Sequence, residues 1–332
     1  MQPGVRIVLL GLVALFQAPA SMAGTASLSW DNDLFAARDQ GYTNGLKVAV
    51  LTRSAERHQQ CRFCLARKAR DRLSVLPQVG GGDRQHALAF SLRQLMTTPE
   101  NIEAERPDFD TSTPYMGYLN ARAGLWSWNR HRITGYSLMI GIVGPESRAQ
   151  ESQNLVHEMT GSTQPRGWAY QLGTDVVGGV EVVHARRFFA AGDSGEREQD
   201  LSWFGSARAG NFMSNVRFGL AWRTGVHLPV NFVPDYTGIS SSVGLPGALD
   251  VPGSGWTLFA GIQAEWIPWF YLEERAGPYN YDQRSLVGHA GGGVGWHTPG
   301  FQVTLTLRAS SAQTRIRDRS LSFGNVALTW RF

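Results

Sequence analysis

Two cysteines in 332 residues, charged side chains held to 17%, and no long apolar run past the first twenty-odd positions exclude several kinds of protein. A helix that crosses a bilayer needs about 20 consecutive apolar residues, so membrane helices are excluded from the remainder of the chain. The cysteines stand as a C-x-x-C pair, Cys61 and Cys64. Zinc would need two further soft ligands, and only His58 is near enough to offer one. A thioredoxin-like redox role needs a βαβ setting that the pattern lacks. The expectation is a short-range disulfide formed in an oxidising compartment, inside a basic stretch that reads as a solvated face. The net charge of +4 would suit phosphate-bearing lipid or lipopolysaccharide as readily as nucleic acid, and nothing else points to a nucleic-acid partner.

What the chain does contain is glycine, 38 residues, and 11 tryptophans with 9 tyrosines. That mixture suits a sheet protein anchored by aromatic residues at a membrane interface. Residues 1–23 read as a signal peptide: Arg6 gives the positive start, Ile7 to Phe16 the short apolar stretch, and Ser21-Met22-Ala23 the small residues of a cleavage site. The mature domain is then expected over 24–332, outside the cytoplasm.

Alternation with period two recurs along this domain in segments of about ten residues. Phe301, Val303, Leu305, Leu307 and Ala309 interleave with Gln302, Thr304, Thr306, Arg308 and Ser310. Segments beginning at Val216 and Trp256 repeat the pattern. Each such strand has one apolar and one polar face, and alternation alone fits a soluble sandwich as well as a membrane barrel. The chain end tips the balance, because Val326, Leu328, Trp330 and Phe332 share a face and close on an aromatic residue. The predicted fold is an all-β, closed antiparallel transmembrane β-barrel of about 12 strands. The strands are expected near 25–31, 43–53, 85–95, 117–127, 132–143, 169–186, 199–209, 214–226, 256–271, 285–297, 301–313 and 320–332. An even number puts both termini in the periplasm, with connections 32–42, 94–116 and 144–168 outside and 54–84 and 227–254 inside. The last two are long for periplasmic turns.

Between Ser147 and Thr160 the alternation yields to a helical pattern, with a capping box formed by Ser147 and Gln150. Gln150, Gln153, Asn154 and His157 fall on one stripe, Gly161 suits the helix end, and Pro165 prevents extension. A short extracellular helix with a polar, histidine-bearing stripe is expected. His157 is a candidate proton acceptor. Trp30-Asp31-Asn32-Asp33 offers hard oxygen ligands of the type calcium prefers, and a hairpin would bring it beside Tyr42-Thr43-Asn44-Gly45. Ordinary turn chemistry is the competing account of both clusters.

Taken in order, Asn32-Asp33, Tyr42-Thr43-Asn44-Gly45, Thr98-Pro99-Glu100-Asn101-Ile102, Pro114-Tyr115-Met116-Gly117-Tyr118-Leu119, Val143-Gly144-Pro145, His157-x-x-x-Gly161 and Gly167-Trp168-x-x-Gln171-Leu172 resemble the outer-membrane lipid A 3′-O-deacylases. The resemblance implies a twelve-stranded barrel in the bacterial outer membrane, with its site between the wall and a short helix at the outer leaflet. It implies calcium-dependent removal of the 3′-linked acyloxyacyl group from lipid A. His157 would be the general base, Asn32 and Asp33 would belong to the Ca2+ site, and Thr43 would be a polar active-site residue. Lipopolysaccharide and the surrounding outer-membrane lipids are the implied partners, and a monomer would suffice.

The sequence also departs from that pattern. An acidic residue expected near Thr163-Gln164 is missing, with Glu158 and Asp175 as candidate substitutes. The family's active-site lysine, between the second strand and the third extracellular segment, has no securely placed counterpart, with Arg93 and Gln94 as candidates, and Ser112-Thr113 stands where the family has Asp-Arg. A non-enzymatic pore or adhesin and an outer-membrane phospholipid esterase are the competing functions.

Overall fold

The computed structural model describes residues 23–32, 42–54, 65–80, 83–193, 195–232, 251, 253–317 and 319–331. Asp33, Cys61, Cys64, Phe332 and all but the last residue of the signal segment lie outside these. The strands are β1 (Ala23–Asn32), β2 (Tyr42–Thr52), β3 (Gln85–Thr97), β4 (Met116–Trp128), β5 (Arg132–Val143), β6 (Asp175–Ala191), β7 (Glu198–Gly210), β8 (Met213–Val226), β9 (Gly255–Phe270), β10 (Leu286–His297), β11 (Phe301–Ser310) and β12 (Leu321–Arg331). Each pairs antiparallel with its sequence neighbours, and β12 returns to β1 from Thr25↔Arg331 to Asn32↔Gly324, so the sheet closes. Closure is what lipid demands, because a sheet edge in hydrocarbon leaves amides unpaired at several kcal/mol each.

The two faces resolve the ambiguity left by alternation. Leu305 and Leu307 on β11, Phe218 and Leu220 on β8, and Leu138 and Ile140 on β5 are exposed. The polar residues between them, Thr306, Arg308, Arg217 and Ser137, are buried. A soluble sandwich would have the reverse. This barrel is apolar outside and polar within, as a bilayer requires.

The interior is layered. At the extracellular end Leu95, Met116, Tyr118, Phe212, Ile267 and Phe270 form part of one apolar cluster. At the periplasmic end Trp126, Trp128, Ile133, Phe204 and Phe232 form part of another. Between them Glu181 takes ion pairs from Arg122 at 2.8 Å, Arg217 at 3.0 Å and Arg208 at 3.3 Å, while Glu265 meets His289 at 2.9 Å. A buried charge is tolerated only when paired in this way. The lumen is filled with side chains.

Among the described residues three α-helices sit in the connections: α1 (Leu65–Arg72), α2 (Ala149–Thr160) and α3 (Tyr271–Arg275). The connections alternate between the two ends of the barrel as an antiparallel closed sheet requires, and in the long connection between β2 and β3 residues 65–80 form a folded segment. One strand differs in placement. β6 was expected from 169 but begins at Asp175, because Gly167–Tyr170 forms a 3-10 turn that buries Trp168. At its other end it runs on to Ala191 through a bulge between Arg187 and Phe189.

Candidate active site

The site is built on the outer face of the wall. Phe90 and Leu92 are exposed, so the even residues of β3 point outward, and Gln94 and Met96 continue that face toward the extracellular end. The register runs across four strands: Asn32 opposite Asn44, Asn44 opposite Met96, Met96 opposite Gly117. Asn32 is therefore an outward residue, and it is buried, 6% exposed. Thr43 lies at the irregularity where β2 and β3 shift register between Tyr42 and Asn44.

Helix α2 closes over this row. A Cβ placed on Gly117 would come within 2.0 Å of the Ser147 hydroxyl and 2.5 Å of the Ala149 methyl, so the helix start rests directly on the β4 backbone. Gln94 Nε2 donates to the Ser147 carbonyl at 2.6 Å. Met96, Tyr115, Ala149 and Trp168 pack into a small buried cluster that fixes the helix from beneath. A Cβ on Gly167 would lie 2.4 Å from the Tyr115 ring, which is why a glycine opens this turn. Burial pushes the Tyr115 phenol up, so it stays neutral while its oxygen accepts from the Gly167 N–H at 3.4 Å.

The predicted capping box does not form. Ser147 ends a 3-10 turn over Pro145–Ser147, and its hydroxyl donates back to the Gly144 carbonyl at 2.6 Å. Arg148 takes the cap position in a left-handed conformation, φ 57°, with no side-chain cap. The serine is claimed by a nearer acceptor. At the other end Gly161 adopts φ 69° and its N–H donates to the His157 carbonyl, as the sequence indicated.

The polar stripe is where chemistry collects. His157 Nδ1 lies 2.6 Å from the main-chain carbonyl of Thr163. A carbonyl only accepts, so Nδ1 carries the proton and Nε2 presents its lone pair. One turn earlier, Gln153 is 1% exposed, and its Oε1 accepts from the Trp168 indole N–H at 2.8 Å. Indole only donates, which fixes the amide orientation and leaves Gln153 Nε2 as a buried donor with no hydrogen-bond partner among the described residues. Spacing of i, i+4 puts both groups on one helix face.

The remaining candidates divide. Asp31 does not join Asn32: strand alternation turns it inward, where Asn325 donates to it at 2.6 Å and Arg93 pairs at 3.3 Å. Arg93 is thereby committed to the lumen and Gln94 to the helix, so neither replaces the family's lysine. Asp175 receives the Tyr271 hydroxyl at 2.6 Å and lies at the start of β6, and Glu158 is exposed, so neither substitutes for the missing acid. The uncharged Thr163 is no loss to His157, which is oriented by its backbone. Among the described residues no group of three histidine, cysteine or acidic side chains is arranged around a metal position. Gln153 and Trp168 were not singled out as site residues from sequence, although Gln153 stood on the stripe and Trp168 in the motif after it.

The geometry defines a class: an outer-membrane barrel with a covered polar site outside its wall, at the outer-leaflet end. The family model described as outer membrane protein LpxR matches residues 6–332, and the chain belongs to that family. Among solved structures, LpxR from Salmonella typhimurium superposes with a TM-score of 0.71 at 19% identity, over 93% of this chain and 100% of that one. The β domain of the Bordetella autotransporter BrkA follows at a TM-score of 0.43 and 9% identity, over 94% and 100%. No curated protein sequence gives a match.

Proposed function

We propose that the protein is a lipid A 3′-O-deacylase, hydrolysing the ester that carries the 3′-linked acyloxyacyl group at the outer leaflet. The observation that carries this reading is the pair His157 Nε2 and Gln153 Nε2, an acceptor and a donor held on one helix face against the lipid-facing side of the wall. A substrate that stands in the outer leaflet reaches such a site from the membrane, without entering the lumen.

His157 Nε2 takes a proton from water as the water oxygen attacks the ester carbonyl carbon. The negative charge moves to the carbonyl oxygen, and Gln153 Nε2 donates to that oxyanion. Collapse breaks the bond to the 3′ oxygen, and the imidazolium returns its proton to that leaving oxygen. The products are the free acyloxyacyl acid and lipid A with a 3′ hydroxyl. No acyl-enzyme forms.

Calcium is part of the proposal. Asn32, outward at the end of β1, would contribute an amide oxygen of the kind Ca2+ accepts, and Asp33 would add the carboxylate. Such an ion would supply positive charge to stabilise a developing oxyanion. Thr43, on the neighbouring strand β2, is the further polar residue of this proposal. A pore is disfavoured by the apolar and charged layers that cross the lumen, and an adhesin gives no reason to set an imidazole and an amide donor on one helix face against the wall.

The test is mass spectrometry of lipid A from cells expressing the protein, with calcium present or chelated. Loss of one acyloxyacyl unit that depends on calcium and on His157 is expected. Unchanged lipid A with folded protein would overturn the reading, and fatty acid released from phospholipid instead would reassign the substrate.

A further inference from the structure

The 65–80 segment in the β2–β3 connection packs on the outside of the barrel, at the periplasmic end of β3–β5. His86, Ser127 and Tyr136 lie on the same outward faces as Phe90, Ala123 and Leu138, and each is bonded to this segment. His86 Nε2 donates to the Val79 carbonyl at 2.6 Å, Ser127 to the Gln78 carbonyl at 2.8 Å, and Tyr136 to the Pro77 carbonyl at 2.9 Å. Arg84 ties the same serine from its Nε at 2.7 Å, and Val79 is fully buried. The segment is thus fixed to the outward face of the wall, at the end of the barrel where β3 begins.

Its helix α1 reads Leu-Ala-Arg-Lys-Ala-Arg-Asp-Arg. Arg67, Lys68, Arg70 and Arg72 face one acid, Asp71, which pairs with Arg70 at 2.6 Å. Leu65, Leu73 and Val75 are exposed in the same segment. Beside it Arg132 of β5 and Arg186 of β6 stand directly opposite one another, both exposed. Like charges in cross-strand register repel unless an anion lies between them. Among the described residues no carboxylate forms an ion pair with either arginine.

We infer that this outer-wall patch is a binding surface for anionic glycerophospholipid headgroups of the periplasmic leaflet, with α1 lying in the interface and Arg132 and Arg186 sharing a phosphate. Charge complementarity and the position of the patch, continuous with the lipid-facing wall, select this occupant. Nothing in the hydrolytic reading requires it.

The experiment reconstitutes the full-length protein in phosphatidylcholine vesicles containing spin-labelled phosphatidylglycerol or spin-labelled phosphatidylcholine and compares motionally restricted lipid. The wild type is expected to favour the glycerol lipid by about fivefold or more, and the preference falls toward unity in high salt. Neutralising the helix (Arg67→Gln, Lys68→Gln, Arg70→Gln, Arg72→Gln) abolishes most of it, while Arg67→Lys with Arg70→Lys and Arg72→Lys retains it. Equal association of the two lipids with wild type would overturn the inference. So would an unchanged preference in the neutral variant when it still migrates as a folded barrel. The salt titration on wild type decides the matter if that variant does not fold.

Discussion

The β3–β4 pair carries an appendage on its outer face at each end, and the two differ in what they present. At the periplasmic end Ser127, Tyr136, Arg84 and His86 Nε2 are all bonded to the 65–80 segment, His86 Nδ1 is buried with no hydrogen-bond partner among the described residues, and what faces out is basic. At the extracellular end α2 is held as firmly, through Gln94 and the Met96–Trp168 cluster, and Gln153 Nε2 is a buried donor with no hydrogen-bond partner among the described residues. An unsatisfied buried polar group costs about 1–3 kcal/mol. Both appendages carry such an atom, and what sets the upper one apart is that Gln153 Nε2 lies one helical turn from His157 on the same face.

The sharpest way to break this contrast is to remove the imidazole. His157→Ala is expected to lower deacylation by about 10²–10⁴-fold while the barrel stays intact, because a positioned general base contributes that much and the helix needs nothing from the ring. Lipid A mass spectrometry with heat-modifiable migration as the folding control reads both halves. Gln153→Ala comes next, with roughly 10²–10³-fold loss if its amide meets the oxyanion. Turnover measured on purified protein would show the loss in kcat. A change confined to KM would instead make Gln153 a substrate-binding group.

The barrel was readable from the sequence because period two survives in nearly every strand, and β5 begins and ends at the predicted residues, Arg132 and Val143. The error at β6 came from Trp168, an aromatic residue that fits an outer strand equally well and is buried by contacts with Tyr115 and Gln153 that lie far away in sequence. The same is true of the site. His157 could be chosen by residue type and helical spacing. Gln153 could not be ranked above Gln150 or Asn154, since its role depends on which atom the indole of Trp168 occupies. Asp31 was grouped with Asn32 by proximity along the chain, and the strand's own alternation separates them to opposite faces of the wall. The capping box failed for a comparable reason: Ser147 finds the Gly144 carbonyl before it can reach the helix N–H groups.

Gly117 tests whether the upper appendage works by position. Gly117→Ala puts a methyl where the Ser147 hydroxyl and Ala149 methyl already sit, so the start of α2 must lift from the wall. Displacement by about 1 Å can cost 10²-fold in rate, so activity is expected to fall by about that factor. The melting of the barrel, whose core lies on the other face, should hardly move. Equal losses of activity and of barrel stability would mean that the helix is part of the fold and not a separately positioned lid.

The smallest effect is expected from Ser127→Ala at the lower appendage. The hydroxyl both accepts from Arg84 and donates to the Gln78 carbonyl, so its removal leaves two polar groups without that partner, at about 1–3 kcal/mol locally. Arg84 keeps its second bond, Nη2 to the Ser127 carbonyl at 2.8 Å, so the loss loosens the segment without releasing it. Faster limited proteolysis within 65–80 is expected, with deacylation unchanged, since Met96 and Gly117 beneath α2 lie ten residues, about 33 Å, farther along β3 and β4. A matching fall in activity would show that the two ends of this strand pair are mechanically coupled, and the anchor and the site would then be one device.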